Sequence, residues 1–288
     1  MNMKNIKLIF AGLDLGVHID GASLGPKKVF ENIEYENKIL LEQNKDYKKE
    51  LSKEINNKNE KELVSYLAKL SSLYNNALKN NEFPIMIGGD HSLAISSALN
   101  SNFHQGPLGI IWFDAHADYH IHQTTVTGNL HGLPLATING KDSNWFKFDN
   151  YKYISEENTV IFGARSIDPG EYDNLNKTKV TIITQDEIKS LGIEQSLTKA
   201  YKIASNNTSG IHISFDLDYL DPSIASGVST PANDGGSLKD YSIIKQSFIN
   251  KINIIKSFDI VEYNSLNDKN NETLNIVLDL LNNVFNIK

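Results

Sequence analysis

The feature that most constrains this chain is a rhythm of short apolar runs separated by amphipathic stretches. Ile6–Phe10, Pro84–Ile87, Leu108–Phe113, Thr159–Phe162, Val180–Ile183, Ile211–Phe215 and Ile254–Val261 are largely apolar along their length. A strand with one wet face alternates apolar and polar residues, whereas a nearly continuous apolar strand needs cover on both faces. The intervening stretches supply that cover. Glu60–Leu78 places Leu63, Leu67, Leu70 and Leu73 or Tyr74 on one helical side. Glu272–Phe285 does the same with Leu274, Val277, Leu278, Leu281 and Phe285. Gly25-Pro26 suits entry into a helix at Lys27–Asn32. Strands alternating with helices predict an α/β fold, a three-layer α/β/α sandwich with a mainly parallel central sheet.

No Pro/Gly/Ser-rich linker or abrupt charge shift divides the 288 residues, so 1–288 reads as a single domain. The Lys-, Asn- and Glu-rich stretch from Glu34 to Asn59 reads as a solvated insertion or surface helix. The apolar runs are far shorter than the roughly 20 residues of a membrane helix. Met1-Asn2-Met3-Lys4 is not followed by the apolar segment of a secretory signal, and the expected location is the cytoplasm. A net charge of −7 without a basic stripe argues against nucleic-acid binding and is compatible with a cationic substrate. Cysteine is absent, which excludes disulfides, thiolate catalysis and thiolate-bound metal. Arg165 is the sole arginine in a chain rich in lysine, which suggests that a planar fork of donors is needed there.

Open α/β sheets bind ligands beyond the carboxyl ends of their strands, and the polar clusters fall at those ends. Asp90-His91 follows one strand, Asp114-Ala115-His116-Ala117-Asp118 a second, Asp216-Leu217-Asp218 a third and Glu262 a fourth. In extended chain, alternate side chains share a face, so Asp114, His116 and Asp118 can converge. Taken singly these motifs say little: an Asp-x-Asp is commonly a turn, and Asp90 is placed to cap a helix starting near His91. Together they crowd carboxylates that would repel one another unless divalent cations neutralised them. Carboxylates with a few imidazoles suit a fairly hard ion such as Mn(II), ahead of Fe, Co or Zn.

Three segments then carry a resemblance: Gly88-Gly89-Asp90-His91-Ser92, Asp114–Asp118, and Ser214-Phe215-Asp216-Leu217-Asp218-Tyr219-Leu220-Asp221-Pro222. In kind and order they resemble the arginase/agmatinase family of ureohydrolases, with arginase the nearest match, over about Gly21 to Glu262. The resemblance implies two manganese ions per chain. His91, Asp114, Asp118 and Asp216 would hold one, and His116, Asp114, Asp216 and Asp218 the other, so that Asp114 and Asp216 bridge. Two ions roughly 3.5–4 Å apart can lower the pKa of a shared water, which a poorly electrophilic guanidinium carbon requires. Gly128-Asn129-Leu130-His131-Gly132 resembles the segment whose histidine shuttles protons, and this implies His131 as proton donor. Asp118 would also steer the attacking water. Glu262 matches the carboxylate that grips the guanidinium, with the Thr230 hydroxyl nearby.

Two further segments look arginase-like. Thr125, Thr127 and Asn129 offer hydroxyls and an amide to a substrate carboxylate, and Asp168 and Glu171 offer acids to an ammonium group. The implied reaction is L-arginine to L-ornithine and urea, in a homo-oligomer that is a trimer or hexamer. His120 stands where the family usually has asparagine, and Ser166 replaces an acid. These departures keep another ureohydrolase, an agmatinase or formimidoylglutamase, as the alternative. A deacetylase-like amidohydrolase would need only one catalytic metal. His104 and His122 are read as surface residues, His212 as a core residue, and His18 carries no signal.

Overall fold

A computed structural model describes residues 5–49, 59–142, 145–146 and 152–288. Its strands are β1 (Ile6–Gly12), β2 (Lys38–Glu42), β3 (Phe83–Gly88), β4 (Leu108–Phe113), β5 (Thr159–Ala164), β6 (Thr181–Thr184), β7 (Gly210–Asp216) and β8 (Ile255–Val261). The helices are α1 (Gly25–Glu31), α2 (Glu60–Lys79), α3 (Ala94–Gln105), α4 (Pro134–Ile138), α5 (Pro169–Leu175), α6 (Gln185–Leu191), α7 (Ile193–Ala204), α8 (Leu238–Lys251) and α9 (Glu272–Phe285). The strands form one sheet in the order β2-β1-β3-β8-β7-β4-β5-β6, and every pairing is parallel. The expected three-layer sandwich is what the chain forms.

The alternation of strand side chains divides the core into two layers. Ile6, Leu8 and Phe10 of β1 join Ile111 and Phe113 of β4 on the face covered by α1, α7, α8 and α9. Ile9 and Ala11 join Ile110 and Trp112 on the face covered by α2, α3 and α4. The buried side of α2 is Leu63, Leu67, Leu70, Tyr74 and Leu78, so Tyr74 takes the inward position. Each fully buried leucine there contributes roughly 1.5–3 kcal/mol.

One expectation needs correction. Part of the stretch read as a solvated insertion or surface helix is a strand, β2, pairing with β1 from Leu8↔Lys38 to Gly12↔Glu42. The reason is its position at the sheet edge. Only one neighbour holds it, its side chains are half-buried, and Lys38 and Glu42 flank Ile39-Leu40-Leu41 with charges that discourage further strand pairing. Residues 50–58 of that stretch, and the start Met1–Lys4, lie outside the described residues.

Strand order positions the site. β3, β8, β7, β4 and β5 are consecutive neighbours, and the polar clusters follow the carboxyl ends of those five strands. His91 and Glu262, 171 positions apart in sequence, are thereby brought within hydrogen-bonding distance.

Candidate metal centre

Beyond β3, Asp90 turns the chain into a 3-10 turn by accepting from the Ser92 amide at 3.1 Å, which delivers His91 to the sheet edge. The capping role expected of Asp90 is present, and Asp90 also accepts from the Gly16 amide at 2.8 Å. The His91 Nδ1 lies 3.0 Å from an oxygen of Asp114, 3.2 Å from one of Asp118 and 3.1 Å from one of Asp216. Although buried, it makes a well-directed hydrogen bond to none of them. Its Nε2 sits 2.9 Å from Ser214 Oγ. If Nε2 carries the proton to that hydroxyl, the Nδ1 lone pair faces three carboxylates, the arrangement a cation between them would satisfy.

A second group adjoins the first. The His116 Nδ1 is 3.0 Å from Asp218 Oδ2 and 3.4 Å from Asp114 Oδ1. Ligand atoms of His91, Asp114 and Asp118 form one compact trio, and those of Asp114, His116 and Asp218 form another. Asp114 is common to both and turns Oδ2 toward His91 and Oδ1 toward His116. Asp216 stands beside the first trio through Oδ2, while its Oδ1 accepts from the Asp218 amide at 2.7 Å. The six residues singled out in the sequence therefore converge on one volume.

Burial opposes a charge on His91 and His116, but the surrounding aspartates raise both imidazoles well above the usual histidine range, so that without a cation they carry part of the counter-charge. Burial, then Asp114, pushes the Asp118 carboxyl up to about 7. Burial and the charges of Asp218 and Asp114 raise Asp216 well above the carboxylate range, and burial with Asp114 raises Asp218. Asp118 and Glu262 also adopt left-handed backbone, with φ of 50° and 64°. Such conformations cost on the order of 1–3 kcal/mol for ordinary residues and persist where the surroundings enforce them.

Glu262 follows β8 and does not itself line the cleft described below; it is buried behind His131, which does. Its Oε1 accepts from the His91 amide at 2.8 Å and lies 3.1 Å from His131 Nδ1, while its buried Oε2 has no hydrogen-bond partner among the described residues. Burial opposes a charge on His131, but Glu262 with the charges of Asp118 and Asp90 outweighs it and raises the imidazole to about 9. The His131 amide donates to Gly16 O at 3.0 Å, which ties the residue to the loop after β1.

A cleft of about 220 Å³ opens over the cluster. It is lined by His116, Asp118, Asp216 and Asp218 below, with Thr125, Thr127, Asn129, His131, Asp168, Glu171 and Thr230 around the walls. Thr125 Oγ1 accepts from the Gly128 amide and Thr127 Oγ1 from the Asn129 amide, so both hydroxyls brace their own loop. Thr230 Oγ1 reaches Asp218 Oδ2 at 3.4 Å. Both Glu171 oxygens are engaged by amides, Oε1 by Tyr119 and Oε2 by Asp168, the latter in a capping box that opens α5. Glu171 thus enters the cleft as a held charge. Asp168 is exposed and 3.2 Å from His120 Nε2, and Ser166 is exposed beside it.

Sequence reasoning passed over several contributors. Trp112 stacks on the His91 ring at 3.7 Å and donates from Nε1 to Asp114 Oδ2 at 2.9 Å. Trp112 and Ser214 are register partners on β4 and β7, each two residues before a clustered aspartate. That period-two spacing was the available signal. His18 reaches the cleft rim, its Nδ1 2.8 Å from Asn129 Nδ2. His212 is a core residue as expected, bonded to Ser257 and Asp259. His104 and His122 are half-buried rather than surface residues, His104 contacting Asn75 and His122 contacting Asp142.

Comparison with known proteins matches this architecture. The arginase family model covers residues 4–286. An arginase of Bacillus subtilis is 33% identical over 298 residues, and one of Brevibacillus brevis is 31% identical over 299, each alignment spanning 99% of both chains. The crystal structure of Bacillus caldovelox arginase superposes with a TM-score of 0.88 at 30% identity, covering 99% of each chain. The chain belongs to the arginase family.

Proposed function

We propose that this metal-dependent ureohydrolase uses two Mn(II) ions per chain to cleave the guanidinium group of L-arginine to L-ornithine and urea, as one domain spanning residues 1–288. The observation that carries the reading is the division of Asp114, one oxygen toward each trio, with the orphaned Nδ1 of His91 aimed at the first. Oxygen and imidazole donors without thiolate suit manganese. When bound, a pair of divalent cations supplies an activated water at neutral pH.

The chain's own groups do the rest. We assign the guanidinium to the buried Oε2 of Glu262, which has no hydrogen-bond partner among the described residues, and burial strengthens such a charge-assisted bond. His131, held 3.1 Å from Glu262 at the cleft wall, is placed to donate a proton to the departing amine. Asp118 would hold the first ion and, through its second oxygen, accept a hydrogen bond that orients the attacking water. At the cleft mouth, Thr125, Thr127 and Asn129 receive the carboxylate of the substrate, and Asp168 with the charge of Glu171 receives its ammonium. Thr230 supports the floor through Asp218.

Among the described residues no helix is long and apolar enough to cross a membrane, and we place the enzyme in the cytoplasm as a trimer or hexamer. His120 favours a second reading, because it already occupies an oxygen of Asp168 that an ammonium would use. On that reading the substrate is another linear amidine. Urea release from L-arginine and from agmatine, and formamide release from formimidoylglutamate, each with Mn(II), separates the two. Turnover of arginine above the others supports the proposal; turnover of another substrate with none of arginine ends it.

A further inference from the structure

The sole arginine of the chain has no part in the chemistry just described, yet it touches Asp218 of the second trio and Ala115 between its other two members. The Arg165 side chain follows β5 and donates to four backbone carbonyls. Nε reaches Asn233 O at 2.8 Å, Nη1 reaches Gly163 O at 3.3 Å, and Nη2 reaches both Asp218 O at 2.7 Å and Ala232 O at 2.9 Å. Its backbone amide donates to Ala115 O at 2.8 Å, joined there by the Ser166 amide at 2.9 Å. Ala115 lies between Asp114 and His116, and its own amide donates to Asp218 Oδ1 at 3.1 Å. The fit around the guanidinium is close: a Cβ at Gly235 would stand 2.6 Å from Nη2.

These bonds are not shared evenly across the centre. Asp114, His116 and Asp218 make up the second trio; the Arg165 main-chain amide holds Ala115, as any residue there would, while its guanidinium alone holds the backbone of Asp218. None of its hydrogen bonds reaches His91 or Asp118. We propose that Arg165 is a positioning residue for the second cation, its guanidinium fastening the β7 end at Asp218 and the chain at residues 232–233 to the end of β5, so that Asp218 meets His116 at one ion. The clamp rests on the two-cation reading above. A lysine offers a single nitrogen at the end of its stem and cannot span carbonyls at residues 163, 218, 232 and 233 together. That accounts for the retention of arginine here in a chain that otherwise uses lysine.

The test is titration of Mn(II) into the metal-free protein, followed by calorimetry and by the electron paramagnetic resonance of the ions. Groups that orient ligands from outside typically alter metal affinity 10- to 100-fold when lost. For R165K the expected result is a first equivalent bound within about twofold of wild type and a second weakened at least about tenfold. The spin-coupled pair signal should then return at high Mn(II). Equal weakening of both equivalents in the folded variant, or no weakening of either, overturns the clamp while the two-cation reading stands. A wild-type protein that takes fewer than two equivalents overturns both. R165Q, which keeps a planar donor group, carries the same measurement if circular dichroism shows R165K unfolded. If neither variant folds, the residue serves folding and the proposal fails.

Discussion

Replacing Glu262 by glutamine keeps the shape of the side chain and an acceptor for the His91 amide, but removes the charge beside His131. In the structure that charge, 3.1 Å from Nδ1, is the largest influence raising the imidazole against the opposing effect of burial. Moving a histidine from 6.5 to about 9 corresponds to about 3 kcal/mol of preference for the protonated form. The side chain of His131 is 15% exposed, so solvent screens little of this. The folded-state value lies above the unfolded one. The pair therefore contributes its full stabilisation below pH 6.5 and loses it as the pH rises through 9. Imidazole resonances of the metal-free protein, followed by NMR from pH 5 to 10, should titrate near 9 in the wild type and more than one pH unit lower in E262Q. The stability advantage of wild type over E262Q, measured by urea unfolding, should shrink across the same window. A wild-type His131 titrating near 6.5, or one indifferent to E262Q, refutes the reasoning.

Three other substitutions probe different links. H131N should lower kcat by about 10²–10⁴, the usual contribution of a positioned proton donor, without changing manganese content measured by atomic absorption. S214A removes the hydroxyl at His91 Nε2 and should weaken manganese binding by about 10- to 100-fold, read by competition with a fluorescent chelator. L67A opens a cavity under α2, remote from the cleft, and should cost about 2–5 kcal/mol in urea unfolding while kcat of the folded enzyme holds.

Much of the fold was legible because the buried strands declare themselves by continuous apolar runs. β2 did not, since an edge strand needs neither burial on both faces nor a second partner. Lys38 and Glu42 made Ile39-Leu40-Leu41 look like part of a wet segment. The clustered aspartates and histidines were legible from their spacing at strand ends. What spacing could not give is the use each group makes of its atoms. Glu171 reads as a free acid in the sequence, but folding commits its two oxygens to the amides of Tyr119 and Asp168. His122 reads as a surface residue because its partner Asp142 lies twenty positions away in a loop without a periodic signature. Arg165 was conspicuous by composition, but the four carbonyls it gathers come from three separate segments that only strand order unites.

The central claim is that six side chains at one rim of the sheet hold a pair of cations. Crystals grown with Mn(II), with diffraction collected above and below the manganese absorption edge, test it directly. The account predicts two anomalous peaks per chain roughly 3.5–4 Å apart. One should lie among His91, Asp114, Asp118 and Asp216, and the other among Asp114, His116, Asp216 and Asp218. A single peak, or manganese bound away from these residues, contradicts it.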